Sequence, residues 1–297
     1  MLNNYKDGIM KKETFWYSPC KPIRLSECTH LTGSNGVYTI ENPPENNTAI
    51  AIRNALSLNR ICHYTNIDSL LKILKYRQIL FNRIDRVNDL EESKELNCNS
   101  LYQRTFIACF NHSEDESIPL WHMYSNKGIG ARISYVMKKD KSVSDMFDKN
   151  TMIKTSSDDI CFSWSKDSPQ KGHIAIAKWQ NIIYSFDEEY ESGVYLGEDD
   201  YEISYDYGLI GAYKDNGWKH EEETRCIVVL SPFAECSQIF FLLLHLDTSV
   251  LDRIEVIVDP WMEPEVFDCI KHEIDSYELE IKVECKVSRY TNKICRD

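Results

Sequence analysis

The pattern of hydrophobic and polar positions changes near residue 61. Ahead of it no period is sustained, and Pro19-Cys20-Lys21-Pro22, Gly33-Ser34-Asn35-Gly36 and Pro43-Pro44-Glu45-Asn46-Asn47 are turn or loop signals. Residues 1–60 therefore read as a loop-rich N-terminal extension and 61–297 as the folded domain. From there Ile61-Cys62-His63-Tyr64 predicts a strand, and Thr65 and Asp68 have the spacing of a helix-opening capping box. Ile67, Leu70, Leu71 and Leu74 follow i, i+3, i+4, i+7, the stripe of an amphipathic helix, and Ile79-Leu80-Phe81 predicts a second strand.

Thr105–Phe110 and the alternation Ile129, Ala131, Ile133, Tyr135 predict further strands, with a short segment Leu120–Tyr124 between them. Residues 174–190 read as a long helix through Ile176, Trp179, Ile183, Phe186 and Tyr190. Strands are expected near Val194–Leu196, through Ile203, Tyr205 and Tyr207, over Arg225–Leu230 and Ile239–Leu246, and through Ile254/Val256/Val258 and Leu279/Ile281/Val283/Cys285/Val287, with a helix near Glu265–Asp275. Helices and strands intermix without strict alternation, which favours an α+β fold over a doubly wound parallel sheet.

Composition then removes whole classes. With 42% hydrophobic and 27% charged residues the chain has globular proportions, and 47 acidic against 34 basic residues give a net charge of -13. A protein that coats nucleic acid or anionic membrane by bulk charge is thereby disfavoured. The N-terminus lacks the apolar stretch of a secretory signal, and the longest apolar run, Ile239–Leu244, is far short of the about 20 residues a membrane span needs. A cytoplasmic protein without membrane contact is expected. Its 11 cysteines are odd in number and include no Cys-x-x-Cys pair, so they read as reduced, buried residues, and no metal is expected. There is no phosphate loop; Gly128-Ile129-Gly130 lacks the third glycine of a dinucleotide fingerprint, where Ile133 stands; no Gly-x-Ser-x-Gly elbow exists; and His220-Glu221-Glu222-Glu223-Thr224 has Thr in place of the second zincin histidine. His112 and His122 lack a third ligand.

Three places still gather polar and aromatic residues in apolar surroundings: His63-Tyr64-Thr65 at a strand end, Trp121-x-x-Tyr124, and Trp218-Lys219-His220-Glu221-Glu222-Glu223-Thr224-Arg225 leading into a strand. Taken singly, a core histidine, a packing pair and a solvated acidic face explain each. If Glu221 and Glu223 lie on a strand they share a face and Glu222 points away. Arg225 has two readings, a local ion pair with these glutamates or a phosphate ligand. Asn88-Asp89 reads first as a turn, with a site role for it and Glu92 as the alternative.

Taken in order, these residues resemble the bacterial family known as domain of unknown function 2971. The resemblance runs through His63-Tyr64-Thr65, Leu70, Ile73-Leu74, Leu80, Asn88-Asp89-x-x-Glu92, Cys109-Phe110-Asn111, Leu120-Trp121-x-x-Tyr124, Gly128 and Trp218-x-x-Glu221-x-Glu223-x-Arg225, over about residues 61–290. Leu90 stands where that family usually has Pro, and Asn111 where it has Ser. The family in turn resembles diphtheria-toxin-like ADP-ribosyltransferases, and the opening is similar to that of DNA-targeting bacterial ADP-ribosyltransferase toxins.

The resemblance implies a split mixed β-sheet core with flanking helices gripping NAD, the co-substrate, in a cleft. Cleaving the nicotinamide glycosidic bond creates positive charge on the ribose, which a carboxylate stabilises; Glu223 is the first catalytic candidate and Glu221 the second. His63 is expected to hold the adenosine ribose hydroxyls, Tyr64 or Tyr124 to stack on nicotinamide and Trp121 to wall the pocket, with Thr65 and Arg225 also at the cofactor. The implied activity is transfer of ADP-ribose to an unidentified intracellular acceptor, as a toxin or phage-defence effector. The alternatives are a NAD glycohydrolase and a non-catalytic nucleotide-binding or regulatory module of the same fold. A protein or small-molecule acceptor suits the acidic chain better than nucleic acid, for which Arg77, Arg83 and Arg86, or Lys138, Lys139 and Lys141, are the candidate groove residues.

Overall fold

The computed structural model describes residues 12–15, 30–34, 37–41, 47–87, 103–125, 129–157, 161–164, 172–185, 194–196, 203–205, 211–231 and 238–294. Its elements run β1 (Lys12–Phe15), β2 (His30–Ser34), β3 (Val37–Glu41), α1 (Asn47–Leu56), β4 (Arg60–Asn66), α2 (Ile67–Tyr76), β5 (Gln78–Arg83), β6 (Thr105–Asn111), α3 (Ile118–Tyr124), β7 (Gly130–Met137), β8 (Ile153–Thr155) and β9 (Cys161–Phe162). They continue as β10 (Ile174–Asn181), β11 (Ile183–Ser185), β12 (Val194–Leu196), β13 (Ile203–Tyr205), β14 (Tyr213–Asp215), β15 (Glu223–Leu230), β16 (Phe241–His245), β17 (Leu251–Val258), α4 (Pro264–Asp275) and β18 (Val283–Val287). The result is a sheet-dominated α+β fold.

The main sheet has 11 strands in the order β18-β17-β7-β4-β6-β5-β16-β8-β9, with β15 on the other edge of β6 and β10 outside β15. It is mixed, since β17 and β18 are parallel while the other ladders are antiparallel. Its decisive feature is a split. β15 covers β6 along its whole length, but the opposite edge is shared: β4 pairs there only at Cys62↔Asn111, and β5 only at Asn82↔Ile107 and Arg83↔Phe106. Residues 108–110 of β6 lie between, so β4 and β5 diverge from one another along that edge.

The helix joining the two arms of the split forms where the periodicity places it. Ile67, Leu70, Ile73 and Leu74 of α2 are buried on the sheet, and Leu70 is fully enclosed. Truncating a side chain in such a position costs about 2–5 kcal/mol. The cap differs from expectation: Asn66, not Thr65, caps α2, its side chain accepting from the Ser69 N–H at 2.8 Å. Thr65 remains in the β4 ladder opposite Ala131.

Residues 174–185 correct a larger expectation. They form β10 and β11 rather than a helix, and Phe186 and Tyr190 lie outside the described residues. Ile176 pairs with Val229 and Trp179 with Cys226, on opposite faces of the strand, so the three-residue spacing never marked one side of a helix. β10 is largely buried on both faces, which erases the period-two signal. In the N-terminal region, β1, β2 and β3 form their own three-stranded antiparallel sheet in the order β1-β3-β2, while α1 packs on β10 and places Ala55 in the main core.

Two apolar clusters lie on the two faces of β15. Cys226, Val228 and Leu230 join the large core with α2 and α4, and Ile227 and Val229 meet Ile84, Ile107 and Ile176 on the other face. Glu223 and Arg225 continue that second face toward the open end of the split.

Candidate functional site

A cleft of about 810 Å³ occupies the split and is lined from β4, α2, β5, β6, α3, β14 and the start of β15. His63, Tyr64, Thr65, Tyr124, Glu221, Glu223 and Arg225 all line it. The His63 ring reaches the uncovered edge of β6, its Nδ1 2.9 Å from the Cys109 carbonyl oxygen. Because a carbonyl only accepts, Nδ1 carries the hydrogen and Nε2 is left as an acceptor. Burial pushes the His63 pKa below its ordinary value, partly offset by the carbonyl bond, so the ring is neutral.

Tyr64 lies on the opposite face of β4, its hydroxyl accepting from the Ser117 N–H at 2.9 Å and its ring 5.0 Å edge-on from Trp121. Burial raises its pKa to about 12. Trp121 departs from expectation: it is 1% exposed, donates from Nε1 to Glu116 Oε2 at 3.2 Å, and lies behind Tyr64 outside the lining of the cleft. Its role there is packing. Tyr124 closes α3 and donates from its hydroxyl to Glu221 Oε1 at 3.0 Å. Burial and the neighbouring carboxylate both raise its pKa, so the hydroxyl keeps its proton.

The two carboxylates meet by a different route from strand alternation. Glu221 ends a 3-10 turn spanning Asn216–Glu221, Glu222 takes a left-handed conformation with φ of 42°, and only Glu223 is on β15. Both acids are buried and Glu222 is exposed. Asn111 holds the turn, donating from Nδ2 to the Glu221 carbonyl at 2.6 Å. Lys214 on β14 bridges the pair, its Nζ 2.6 Å from Glu221 Oε2 and 3.2 Å from Glu223 Oε2. Nothing in the local sequence around Lys214 marks it as a site residue; only the tertiary path does.

Arg225 grips Glu223 in a fork, Nε to Oε1 at 2.6 Å and Nη2 to Oε2 at 3.1 Å, and donates from Nη1 to the Gly211 carbonyl at 3.2 Å. Its ion-pair reading is the one the geometry carries; the guanidinium acts on Glu223 rather than standing ready as a phosphate ligand. Burial alone would raise the Glu223 pKa, but Arg225, Lys214 and a hydrogen bond from Cys109 outweigh it and hold the carboxyl at about 2. Burial likewise lowers Lys214, and the carboxylates more than offset that, leaving its pKa above the ordinary value. Tyr184 completes the shell, its hydroxyl accepting from the Glu223 N–H at 2.9 Å.

The register also starts two of these cleft residues from opposite faces of the sheet. Cys62 pairs with Asn111 and Asn111 with Glu223, so Glu223 shares its face with Cys62, and the adjacent His63 starts from the other. Both line one cleft because the sheet is open between β4 and β5. Asn88, Asp89, Glu92 and Gly128 lie outside the described residues.

Four of the six basic candidates make defined contacts. Arg83 pairs with Asp85 at 2.8 Å, Arg77 lies 3.8 Å from Glu280, Arg86 stacks 4.1 Å over Phe240, and Lys138 donates to the Ser249 carbonyl. His112 lies 3.0 Å from the Thr224 hydroxyl and His122 packs on Trp261. Among the described residues no cluster of three or more His, Cys, Asp or Glu side chains is placed to hold a metal, and no helix is long and apolar enough to cross a membrane.

No model of a known protein family and no curated protein matches the chain. Among solved structures it is similar to Thermus sp. 2.9 DarT in complex with carba-NAD+, with 9% identity and a TM-score of 0.30, over 77% of this chain and 95% of that one. A likeness this slight shows neither the fold nor the activity.

Proposed function

We propose that the chain is an ADP-ribosyltransferase-like protein that binds NAD in the split between β4 and β5 and breaks its nicotinamide glycosidic bond beside Glu221 and Glu223. The observation that carries this reading is the cleft itself: about 810 Å³, within the usual range of ligand pockets, with two buried carboxylates at one end and His63 in the gap of the sheet. In the reaction the bond from ribose C1′ to the ring nitrogen breaks and its electron pair leaves with nicotinamide. An acceptor oxygen or nitrogen then bonds C1′ and gives up its proton. Carboxylates ionised in advance favour the positive charge that develops on the ribose, and Glu223, held at about 2, is ionised throughout the physiological range. His63 Nε2 and the Thr65 hydroxyl are suited to ribose hydroxyls, and the Tyr64 and Tyr124 rings to the flat nicotinamide. The acceptor is an intracellular protein, small molecule or nucleic acid, and a toxin or phage-defence role follows from the resemblance alone.

One observation favours a second reading, a nucleotide-binding module without turnover. Glu223 already takes hydrogen bonds from Arg225, Lys214 and Cys109, and these compete with any contact to a substrate. Incubation with labelled NAD and cell lysate separates the cases. Label entering protein, small molecule or nucleic acid supports transfer, and free ADP-ribose supports hydrolysis. Thermal stabilisation by millimolar NAD without nicotinamide release supports the module. No stabilisation and no release rejects the NAD site.

A further inference from the structure

The charges at the inner end of the cleft balance because of one lysine. Glu221 and Glu223 supply two negative charges and Arg225 one positive, with exposures of 5, 3 and 1%. Alone these three leave one uncompensated negative charge away from water, which is costly. The balancing cation is the Lys214 ammonium, in contact with both carboxylates and 4.7 Å from the centre of the Trp218 ring. Two carboxylates and an indole face are the walls of a cage for an organic cation, and here the ammonium already sits among them.

Lys214 reaches the cage from an element separate from the wall that carries Glu223. β14 pairs with β11 in a two-stranded parallel ladder outside the main sheet, whereas Glu223 and Arg225 are on β15 inside it. Gly211, three residues before Lys214, has φ of +63°, a conformation open to glycine and strained for other residues. The two bonds of the Arg225–Glu223 fork do not run through the lysine and are retained when its side chain moves.

We infer that the Lys214 ammonium is a tethered occupant of a site for an organic monocation, and that the ligand group which replaces it is a flat aromatic cation of the pyridinium class. The indole face suits a flat ring, and exchange of one monocation for another leaves the inner end neutral. A neutral ring gains no such balance, and an anionic group is repelled once Lys214 withdraws. Anionic parts of a ligand are instead placed toward Lys72, Arg86 and Lys154, which line the same cleft. Identifying the cation with the nicotinamide ring of NAD rests on the reading proposed above; the cage rests on its own contacts.

The test compares 1-methylnicotinamide, a pyridinium cation methylated on the ring nitrogen, with neutral nicotinamide on the wild type, Lys214→Met and the double variant Lys214→Met/Glu221→Gln, reading affinity and melting temperature. Lys214→Met is expected to bind the cation at least about tenfold more tightly than the wild type does, the size of one desolvated charge or cation–π contact, with no gain for the neutral ring. The double variant should lose that gain. If Lys214→Met is unstable alone, its rescue by the cation and not by nicotinamide is the supporting result. A variant that stays unfolded with the cation, or binds both rings alike, or gains nothing, overturns the inference. Cation binding by Lys214→Met with no NAD binding by the wild type leaves the cage standing and removes the NAD reading. NAD turnover without any gain in Lys214→Met does the reverse.

Discussion

The Nδ1 of His63 lies 2.9 Å from the carbonyl oxygen of Cys109, on the stretch of β6 that β4 and β5 leave uncovered. An imidazole thus supplies the hydrogen bond that a continuous sheet would have drawn from a neighbouring strand. Burial keeps the ring neutral against the opposing pull of this bond, and the bond fixes the tautomer, with Nε2 left as the acceptor.

His63 should couple stability to pH in a defined direction. Its folded pKa is depressed below 6.5 by burial, so the unfolded chain takes up the proton first as pH falls. The stabilisation is complete above 6.5 and is lost as pH drops through the folded value. His112 and His245 are depressed too, so the measurement is a difference. Melting temperature from pH 7.5 down to about 5 should fall more steeply for the wild type than for His63→Gln; parallel curves would place the titration elsewhere.

Glu223→Gln should cost stability as well as any activity. It leaves the Arg225 guanidinium, 1% exposed, without its fork partner, a change worth about 3–5 kcal/mol in a buried pair. The folded pKa is depressed, so the stabilisation is present above the ordinary value of 4.5 and is lost as pH falls through about 2. Urea unfolding should show the wild type weakening over that window and the variant changing much less. A variant as stable as the wild type at pH 7 would mean the fork contributes nothing net.

How much of this was legible follows from which residues report their surroundings locally. The α2 stripe of Ile67, Leu70 and Leu74 did, because one face of that helix is apolar and the other is not. Residues 174–185 did not, because β10 is buried on both sides and Ile176 and Trp179 mimic a helical spacing from opposite faces. In the site, His63, Tyr124, Glu221 and Glu223 were identifiable as chemistry-bearing types near element ends, and all line the cleft. Trp121 had the same credentials, yet the orientation of α3 turns it inward to Glu116. Lys214 had no pattern around it, and the left-handed turn at Glu222 that brings the carboxylates together is a backbone choice that composition does not reveal.

Tyr124→Phe isolates the hydroxyl that donates to Glu221 Oε1 at 3.0 Å. A hydrogen bond to a charged group contributes about 1.5–3 kcal/mol to stability, so melting temperature should fall, and NAD turnover should fall as well because Glu221 loses the donor that positions it. Tyr64→Phe is the counterpart: its hydroxyl accepts from Ser117 N–H at the start of α3, so the loss should appear mainly in stability. Equal loss of turnover in both would show that the whole of α3, rather than the Glu221 contact, controls the site.

Glu222 tests whether the backbone turn, rather than any side chain at that position, assembles the carboxylate pair. Its φ of 42° is left-handed, its N–H donates to the Lys219 carbonyl and its carbonyl accepts from His112 N–H, while its side chain is exposed. Glu222→Gln should leave turnover and stability unchanged. Glu222→Gly removes the Cβ that disfavours this conformation and should be neutral or more stable by up to about 1 kcal/mol. Glu222→Pro fixes φ near −65° and deletes the N–H, so Glu221 and Glu223 can no longer both reach Lys214. Loss of turnover in the proline variant alone, with circular dichroism showing the sheet retained, is the expected outcome; loss in Glu222→Gln would instead place its carboxylate in the chemistry.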